Sequence, residues 1–494
     1  MITQFLKGTR FHENANDIFK MSRTEFKDLD FTASAFTERL TQMIATHETH
    51  QVPRLKELKR YYLADNNINY RPAKTDESAA DNRIASDFAK YITIFEQGYM
   101  LGKPIEYKNE QEGLLETIKE FSIQNNEDYH NVLIKTDLSI YGRAYELLYV
   151  DDETGRVKLV HLDPVQTFVV YDDTVKKNSL FGVRHYEMDY GVNEKRQFVE
   201  VYTQDAIFYY MTDRQASLTY KEQEDHYFNG VTINEYANNE ERTSAYEAVL
   251  DSIDAYDLSQ SELANFQQDS VDALLVIKGN PYTGQTTDNQ DEDSRLQVAK
   301  KFKQARILIL DDNPNEKGSE PDAFYLKKVY DSQGAEDYKK RLVSDILRFT
   351  FTPDVTDQHF AGVQSGESMK YKMMASDNRR VTQERLFAKC LMRRLRLAVN
   401  VWQIKFNASL TYDEVNQTKI IFSPNIPQNT NELIENVRRV YGIVSDETLL
   451  ELLRQFTGIE AEEELERLKE EKKSPAIEPR RPKPEEVTVH AKEN

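Results

Sequence analysis

Apolar and polar positions repeat with two different periods along this chain, and the change of period divides it. Residues 1 to about 32 are polar and aperiodic and predict an arm. From Thr32 apolar residues recur every three or four positions, the spacing of one helix face. TASAFTERLTQMIATHETHQ puts Phe36, Leu40, Met43 and Ile44 on one stripe. VPRLKELKRYYLADN puts Leu55, Leu58, Tyr62 and Leu63 on another, with Pro53 where a first helical turn tolerates it. Asp81 or Asn82 is a candidate cap for a third helix ending at Gly98 or Gly102. Two shorter helices are expected near 112–123 and 127–141.

From Arg143 the period becomes two. AYELLYV, RVKLVHL, VQTFVVY, FGVRHYE, RQFVEVYT, AIFYYM and ASLTYKE read as short strands separated by turn residues, a meander or small sandwich. Near Asn239 the helical period returns. Residues 239–268 hold neither Gly nor Pro and predict a helix about 45 Å long. Tyr246, Val249, Leu250, Ile253 and Tyr256 form its thin apolar stripe, with Asp251, Asp254 and Asp257 on the other side. Such a helix wants a neighbouring helix, from this or another subunit. VDALLVIKG, RLQVAKKFKQA, RILILD and AFYLKKVY then predict a small β-α-β-β module, and GAEDYKKRLVSDILRFT a second helix stopped by Pro353. If the two flanking helices run antiparallel, the module sits at their far end. Residues 351–367 read as a loop, and a second long helix follows, capped by Ser365 or Ser368 and burying Leu391, Leu395, Ala398 and Trp402. TKIIFSPNIPQNT is a strand ending in two prolines. A helix, Gly442, a helix capped by Ser445 and a charged helix complete the folded part. Residues 471–494 are Pro-rich and charged and predict a disordered tail.

Length and charge sharpen this picture. At 494 residues the chain exceeds what one core usually fills, so two to four domains are expected. It carries 84 acidic and 64 basic residues, a net charge of −20, which argues against a general nucleic-acid coat. Against that background, residues 370–405 hold ten basic and two acidic side chains. These either face phosphates or pair with acidic neighbours between subunits. The planar fork of arginine favours the second, and marks Arg379, Arg380, Arg385, Arg393, Arg394 and Arg396 as candidate subunit-interface residues. A single cysteine, Cys390, excludes a disulfide framework and a cysteine-based zinc site within one chain, and it reads as core. No run of about 18 apolar residues is present, and the first 20 residues have no apolar signal core. The expectation is a soluble protein made and assembled inside a cell.

Catalytic and metal-binding chemistry finds little support. GYMLGK has one residue too few for a phosphate loop, Pro104 where Ser or Thr should bind magnesium, and reads as a helix C-cap. His47 and His50 stand one turn apart without further metal ligands nearby in sequence. DDNPNEKGSEPD departs from a calcium loop at its glycine and reads as a turn. Asp163 and the Asp172–Asp173 pair read as turn residues. No catalytic residue, metal or cofactor is therefore expected, and no enzyme.

Four stretches carry a resemblance. NRIASDFAKYITIFEQGYMLGKPIEY, IYGRAYELLYVDDETGRVKLVHLDPVQTFVVYDD, HFAGVQSGESMKYKM and FSPNIPQNTNELIENVRRVYGIVSDETLLELL occur in this order over residues 35–465. They resemble the portal proteins of tailed bacteriophages, in the form typical of long-tailed phages of Gram-positive hosts. One departure is Glu367–Ser368–Met369, where a small residue is common before the lysine. The resemblance implies an α+β fold: a portal-type subunit with an α/β wing, a two-helix stem, a small α/β clip, a long kinked helix after a tunnel loop, and an α-helical crown. It assigns 1–32 to the arm, 33–239 with 368–410 to the wing, 240–268 and 334–350 to the stem, 269–333 to the clip, 351–367 to the tunnel loop and 411–470 to the crown.

It further implies a homo-oligomeric ring, usually of twelve subunits, at the portal vertex of a virion, assembled in the host cytoplasm without membrane attachment. Double-stranded DNA would pass through the ring during packaging and ejection. The terminase large subunit, head-completion or connector proteins, and the major capsid and scaffolding proteins would be its partners. The residues that would face DNA are Gln358, His359, Phe360, Gln364 and Ser365 in the loop and Lys339, Lys340 and Arg348 on the stem. Lys300, Lys301, Lys303 and Arg306 on the clip would dock terminase and connector. The alternatives are a ring-forming virion scaffold that conducts no DNA, or an enzyme acting on nucleic acid.

Overall fold

The computed structural model describes residues 15–75, 79–189, 195–212, 217–271, 274–278, 307–310, 322–326, 331–354, 366–405, 410–425, 437–457 and 461–473. The expected helical stripes fold as such. α1 (Arg23–Lys27) precedes α2 (Ser34–Thr46), whose Phe36, Leu40 and Ile44 are buried. A π-helical turn at His47–Gln51 leads into α3 (Val52–Tyr62), which buries Leu55, Leu58 and Tyr61, while Leu63 ends it and is 64% exposed. α4 (Phe88–Leu101) starts later than the sequence suggested, because residues 80–87 are extended. Its C-cap is Gly102, so GYMLGK is the end of a helix. α5 (Glu112–Gln124) and α6 (Glu127–Tyr141) follow. Gly142 closes α6 at φ +82°, a left-handed position where a Cβ would also run into the Arg242 carbonyl.

The period-two region forms two sheets. β1 (Phe19–Met21), in the stretch expected to be an arm, pairs in parallel with β5 (Thr167–Asp172). β5, β6 (Ser179–Asp189), β7 (Lys195–Tyr202), β8 (Ala206–Thr212) and β9 (Leu218–Asp225) continue as an antiparallel meander, giving the order β1-β5-β6-β7-β8-β9. α2 covers this sheet, and Phe168, Val170, Phe181, Val183, Val199, Val201 and Phe208 pack with its stripe. β3 (Arg143–Val150) sits between β4 (Val157–Leu162) and β10 (Ile233–Ala237), an additional strand that the pattern of the sequence did not announce. β2 (Glu106–Lys108) pairs with β14 (Lys419–Ile421).

α7 (Leu250–Val271) is shorter than expected, about 33 Å. It begins after a turn in which Asn239 Oδ1 accepts from the Thr243 N–H and Arg242 adopts φ +55°. The small module consists of β11 (Leu274–Lys278), with β12 (Ile307–Leu310) parallel on one side and β13 (Asp322–Leu326) antiparallel on the other. α8 (Ser332–Phe349) packs against α7. Ile253 shares a cluster with Ile346, and Gln260 meets Lys339, so the two helices run antiparallel. α9 (Gly366–Lys405) is one helix of 40 residues and buries Leu391, Leu395, Ala398 and Trp402. α10 (Tyr412–Asn416) opens with a full capping box from Thr411 and Glu414. After Gly442 come α11 (Asp446–Thr457), where the Ser445 hydroxyl accepts from the Thr448 N–H, and α12 (Ala461–Lys473).

The chain divides into two units, Met1–Gln358 with Met373–Asn425, and His359–Lys372 with Ile426–Asn494. Residues 411–425, which the resemblance gave to the crown, belong to the first unit, because β14 is hydrogen-bonded to β2.

Candidate nucleic-acid interface

The antiparallel pair α7–α8 carries the stem residues singled out in the sequence. A groove of about 450 Å³ runs along α8, lined by Tyr256, Lys339, Lys340, Arg348, Thr352 and Asp354 among others. Lys340 and Arg348 are exposed. Lys340 Nζ is 3.8 Å from Asp337, and Arg341 Nε is 3.9 Å from Asp345, loose surface pairs that hold little energy. Lys339 differs. It is buried, and its Nζ donates to Gln260 Oε1 at 2.7 Å and lies 2.7 Å from Glu336. It fastens α8 to α7, so the expectation that it faces DNA is corrected. Gln358, His359, Phe360, Gln364 and Ser365 lie outside the described residues, as do Lys300, Lys301, Lys303 and Arg306 and the DDNPNEKGSEPD stretch.

Five of the six arginines of α9 find partners inside their own chain. Arg394 is fully buried. Its Nη1 donates to Glu127 at 2.7 Å, its Nη2 to Glu146 at 2.6 Å and to Asn131 at 2.9 Å. Glu146 also accepts from Asn234 and from the Tyr236 hydroxyl, both at 2.8 Å. Burial alone would raise the Glu146 pKa, but Arg394 and the His130 ring, 3.0 Å away, hold it well below the usual carboxylate range. The subunit-interface assignment of Arg394 is therefore corrected: an acid sits beside it, but from the same chain. Arg379 reaches Glu96 at 2.9 Å and the Thr350 carbonyl at 2.6 Å. Arg380 bonds Asp377 and Glu384 on its own helix. Arg393 donates to Ser179 Oγ and the Val231 carbonyl, Arg396 to Asn416, and Arg385 is exposed. Lys135, also fully buried, donates to Glu96 at 2.9 Å. Against the burial that raises it, Lys135 and Arg379 bring Glu96 down to about 2.

The arrangement offers no assembled reaction centre among the described residues. His47 is buried with its Nδ1 3.0 Å from His185 Nε2, and no group of three or more metal-binding side chains occurs among the described residues. Asp163 and Asp172 accept from N–H groups two to six residues ahead, as turn residues do. Cys390 donates to the Glu235 carbonyl, and burial pushes its thiol up to about 12.

The family model described as "Phage portal protein, SPP1 Gp6-like" matches residues 42–476. The chain belongs to this portal family. A relative, the portal protein of Bacillus phage SPP1, is 27% identical over 293 residues, 55% of this chain. The match spans about half, 56%, of that relative's length. Among solved structures, a chain in the virion of a native gene transfer agent particle matches 81% of this chain and 92% of its own, at 10% identity and a TM-score of 0.37. A chain in the neck of an empty particle of that kind, computed with C6 symmetry, gives 81%, 93%, 10% and 0.39.

One arrangement in this portal-family chain escaped the sequence reading. The extended strap at 80–86 lies along α7 and donates alternate backbone N–H groups to its side chains. Ser86 bonds Asp257 at 2.9 Å, Ile84 bonds Ser261 at 2.9 Å, Asn82 bonds Asn265 at 2.6 Å, and Ala80 bonds Asp269 at 3.4 Å. Two extended residues advance about 6.7 Å and four helical residues about 6 Å, so the two repeats keep step. Asn66 and Asn67 add bonds to Asp257 and Asp254 at 2.6 and 2.8 Å, and the Tyr61 hydroxyl bonds Asp254 at 2.7 Å. Asp254 and Asp257, placed by the sequence opposite the apolar stripe, are thus buried. The spacing of 257, 261, 265 and 269 was the available signal, but its partners lie some 180 residues upstream.

Proposed function

We propose that copies of this chain form a ring at one capsid vertex of a phage virion, with double-stranded DNA passing along its axis in packaging and ejection. The match to the portal family across residues 42–476 carries this reading. Residues 33–239 and 368–410, with 411–425 joined to them through β14, act as the wing, α7 and α8 as the stem, and 269–333 as the clip that docks the terminase large subunit and later the head-completion proteins. Residues 426–473 act as the crown. The loop 351–365, with Gln358, His359, Phe360, Gln364 and Ser365, meets the DNA together with Lys340 and Arg348 on α8. Physical chemistry supports the reading in two respects. A chain of −20 with scattered exposed cations neutralises few phosphates at once, and so lets DNA slide. The stem helices also carry cations held only by long surface pairs, which can turn to a phosphate at small cost.

Negative-stain electron microscopy with mass photometry tests the ring. Twelve copies of 57.7 kDa give about 690 kDa, and the expected image is a ring with an axial hole. A monomer with nuclease or ATPase activity overturns the reading. For the loop, His359→Ala with Phe360→Ala is expected to block DNA packaging while the ring stays intact. Unchanged packaging by an intact ring removes the loop from the DNA path.

A further inference from the structure

We infer that a basic groove on the first unit is a socket for a neighbouring copy of this chain, filled by the acidic α5–α6 corner of that copy. This rests on the ring reading above and names the surfaces that would build it. The groove measures about 1020 Å³ and lies between β10, the β5–β6 turn and the C-terminal half of α9. Lys27, Lys176, Lys177, Lys389, Arg393 and Arg396 line it. Of the two carboxylates that also line it, Glu235 is already bonded to Arg242 and to the Tyr171 hydroxyl. The Nε of Arg393 is buried without a hydrogen-bond acceptor. Leu180 and Leu397 supply apolar wall. In a chain this acidic, such a lining asks for an occupant that is both anionic and apolar.

The α5–α6 corner has that character. Glu116, Glu120 and Ile123 stand at i, i+4 and i+7 on one face of α5, and Asp128 and Tyr129 follow in α6. Glu116, Glu120 and Asp128 are exposed, and Ile123 and Tyr129 are 78% and 66% exposed, large apolar groups left in water by a single copy. Position supports the pairing as well as charge. In the three-stranded sheet the order is β10-β3-β4, and β10 lines the groove. β4, on the opposite edge, meets the corner: Lys158 Nζ donates to the Gln124 carbonyl and the Leu159 N–H to Asn125, each at 2.9 Å. Socket and knob thus lie on opposite sides of one sheet. A contact between them is head-to-tail, the kind that closes into a ring, whereas socket against socket would set lysine against lysine.

Charge reversal on each side tests this. Lys176→Glu with Lys389→Glu alters exposed groove residues, and Glu116→Lys with Glu120→Lys alters exposed knob residues. Each double variant is expected to keep the wild-type melting temperature as monomer and to lose ring in mass photometry at least about tenfold. The quadruple variant, in which each reversed groove meets a reversed knob, is expected to regain the ring. Double variants that assemble like wild type overturn the socket while the ring reading stands. So does a quadruple variant that fails to recover the ring. A wild-type chain that never forms rings overturns both readings.

Discussion

Two regions of the first unit bury charge, and they do so by opposite means. Between α6 and α9, Arg394 and Lys135 meet Glu146, Glu127 and Glu96, so each of these buried ions has an ion of the other sign. On α7, Asp257 is met by Asn66 and the backbone of Ser86, both neutral, and beside it Asp254 accepts from Tyr61 and Asn67. The carboxyl groups respond in opposite directions. Glu96 falls to about 2, while burial raises Asp257 to about 6 despite its hydrogen bonds. Burial alone therefore does not set the protonation of a carboxyl. Whether a full positive charge shares the site decides it.

The sharpest way to break the comparison is Arg394→Met. It strands Glu146 and Glu127 without their counter-charge, and is expected to cost about 3–5 kcal/mol in urea unfolding. Asn66→Ala, at the neutral site, removes one donor from Asp257 and is expected to cost less, about 1–3 kcal/mol. Acidity separates the two regions further. Asp257 has a higher pKa folded than unfolded, so between about 6 and its ordinary value of 3.8 the folded chain holds the extra proton. Its contribution thus improves as pH falls through that window and is lost again as pH rises past 6. Glu96 has the reverse sign: its contribution is complete above its ordinary 4.5 and fades toward 2. Melting from pH 7 to pH 5 is expected to show a smaller loss of stability for wild type than for Asp257→Ala, and no difference of that kind for Glu96→Gln. Smallest of all, Lys340→Ala is expected to stay within about 0.5 kcal/mol of wild type, since its pair is exposed and long.

Much of the fold was legible because local spacing carries it. The α2 stripe, the strands of the meander, the two helices 112–124 and 127–141, and the buried face of α9 need only neighbours in sequence. What failed depended on distant partners. Asp81 and Asn82 resemble helix caps, yet Asn82 is spent on Asn265 and Gln268. Asp254 and Asp257 lie opposite the apolar stripe, and their burial was not legible because the donors that cover them lie on another segment. Arg394 has the look of an interface fork, and its own Glu127 and Glu146 take that place. β1 and β10 are short, and each owes its place to a longer strand beside it. Of the candidate interface, Lys340 and Arg348 are exposed on α8, whereas the burial of Lys339, which bonds Gln260 across the helix pair, was not legible in the sequence.

The strap along α7 has a mechanical consequence. Its four backbone bonds fall on every fourth helix residue, so a slide by a single helical position would break them together. A slide by one full step of about 6 Å toward the start of α7 would set the Ser86 N–H opposite Ile253, which has no side-chain oxygen, so the four bonds are complete in one register. The strap and α7 therefore fit like a key in a lock, with a single matching register.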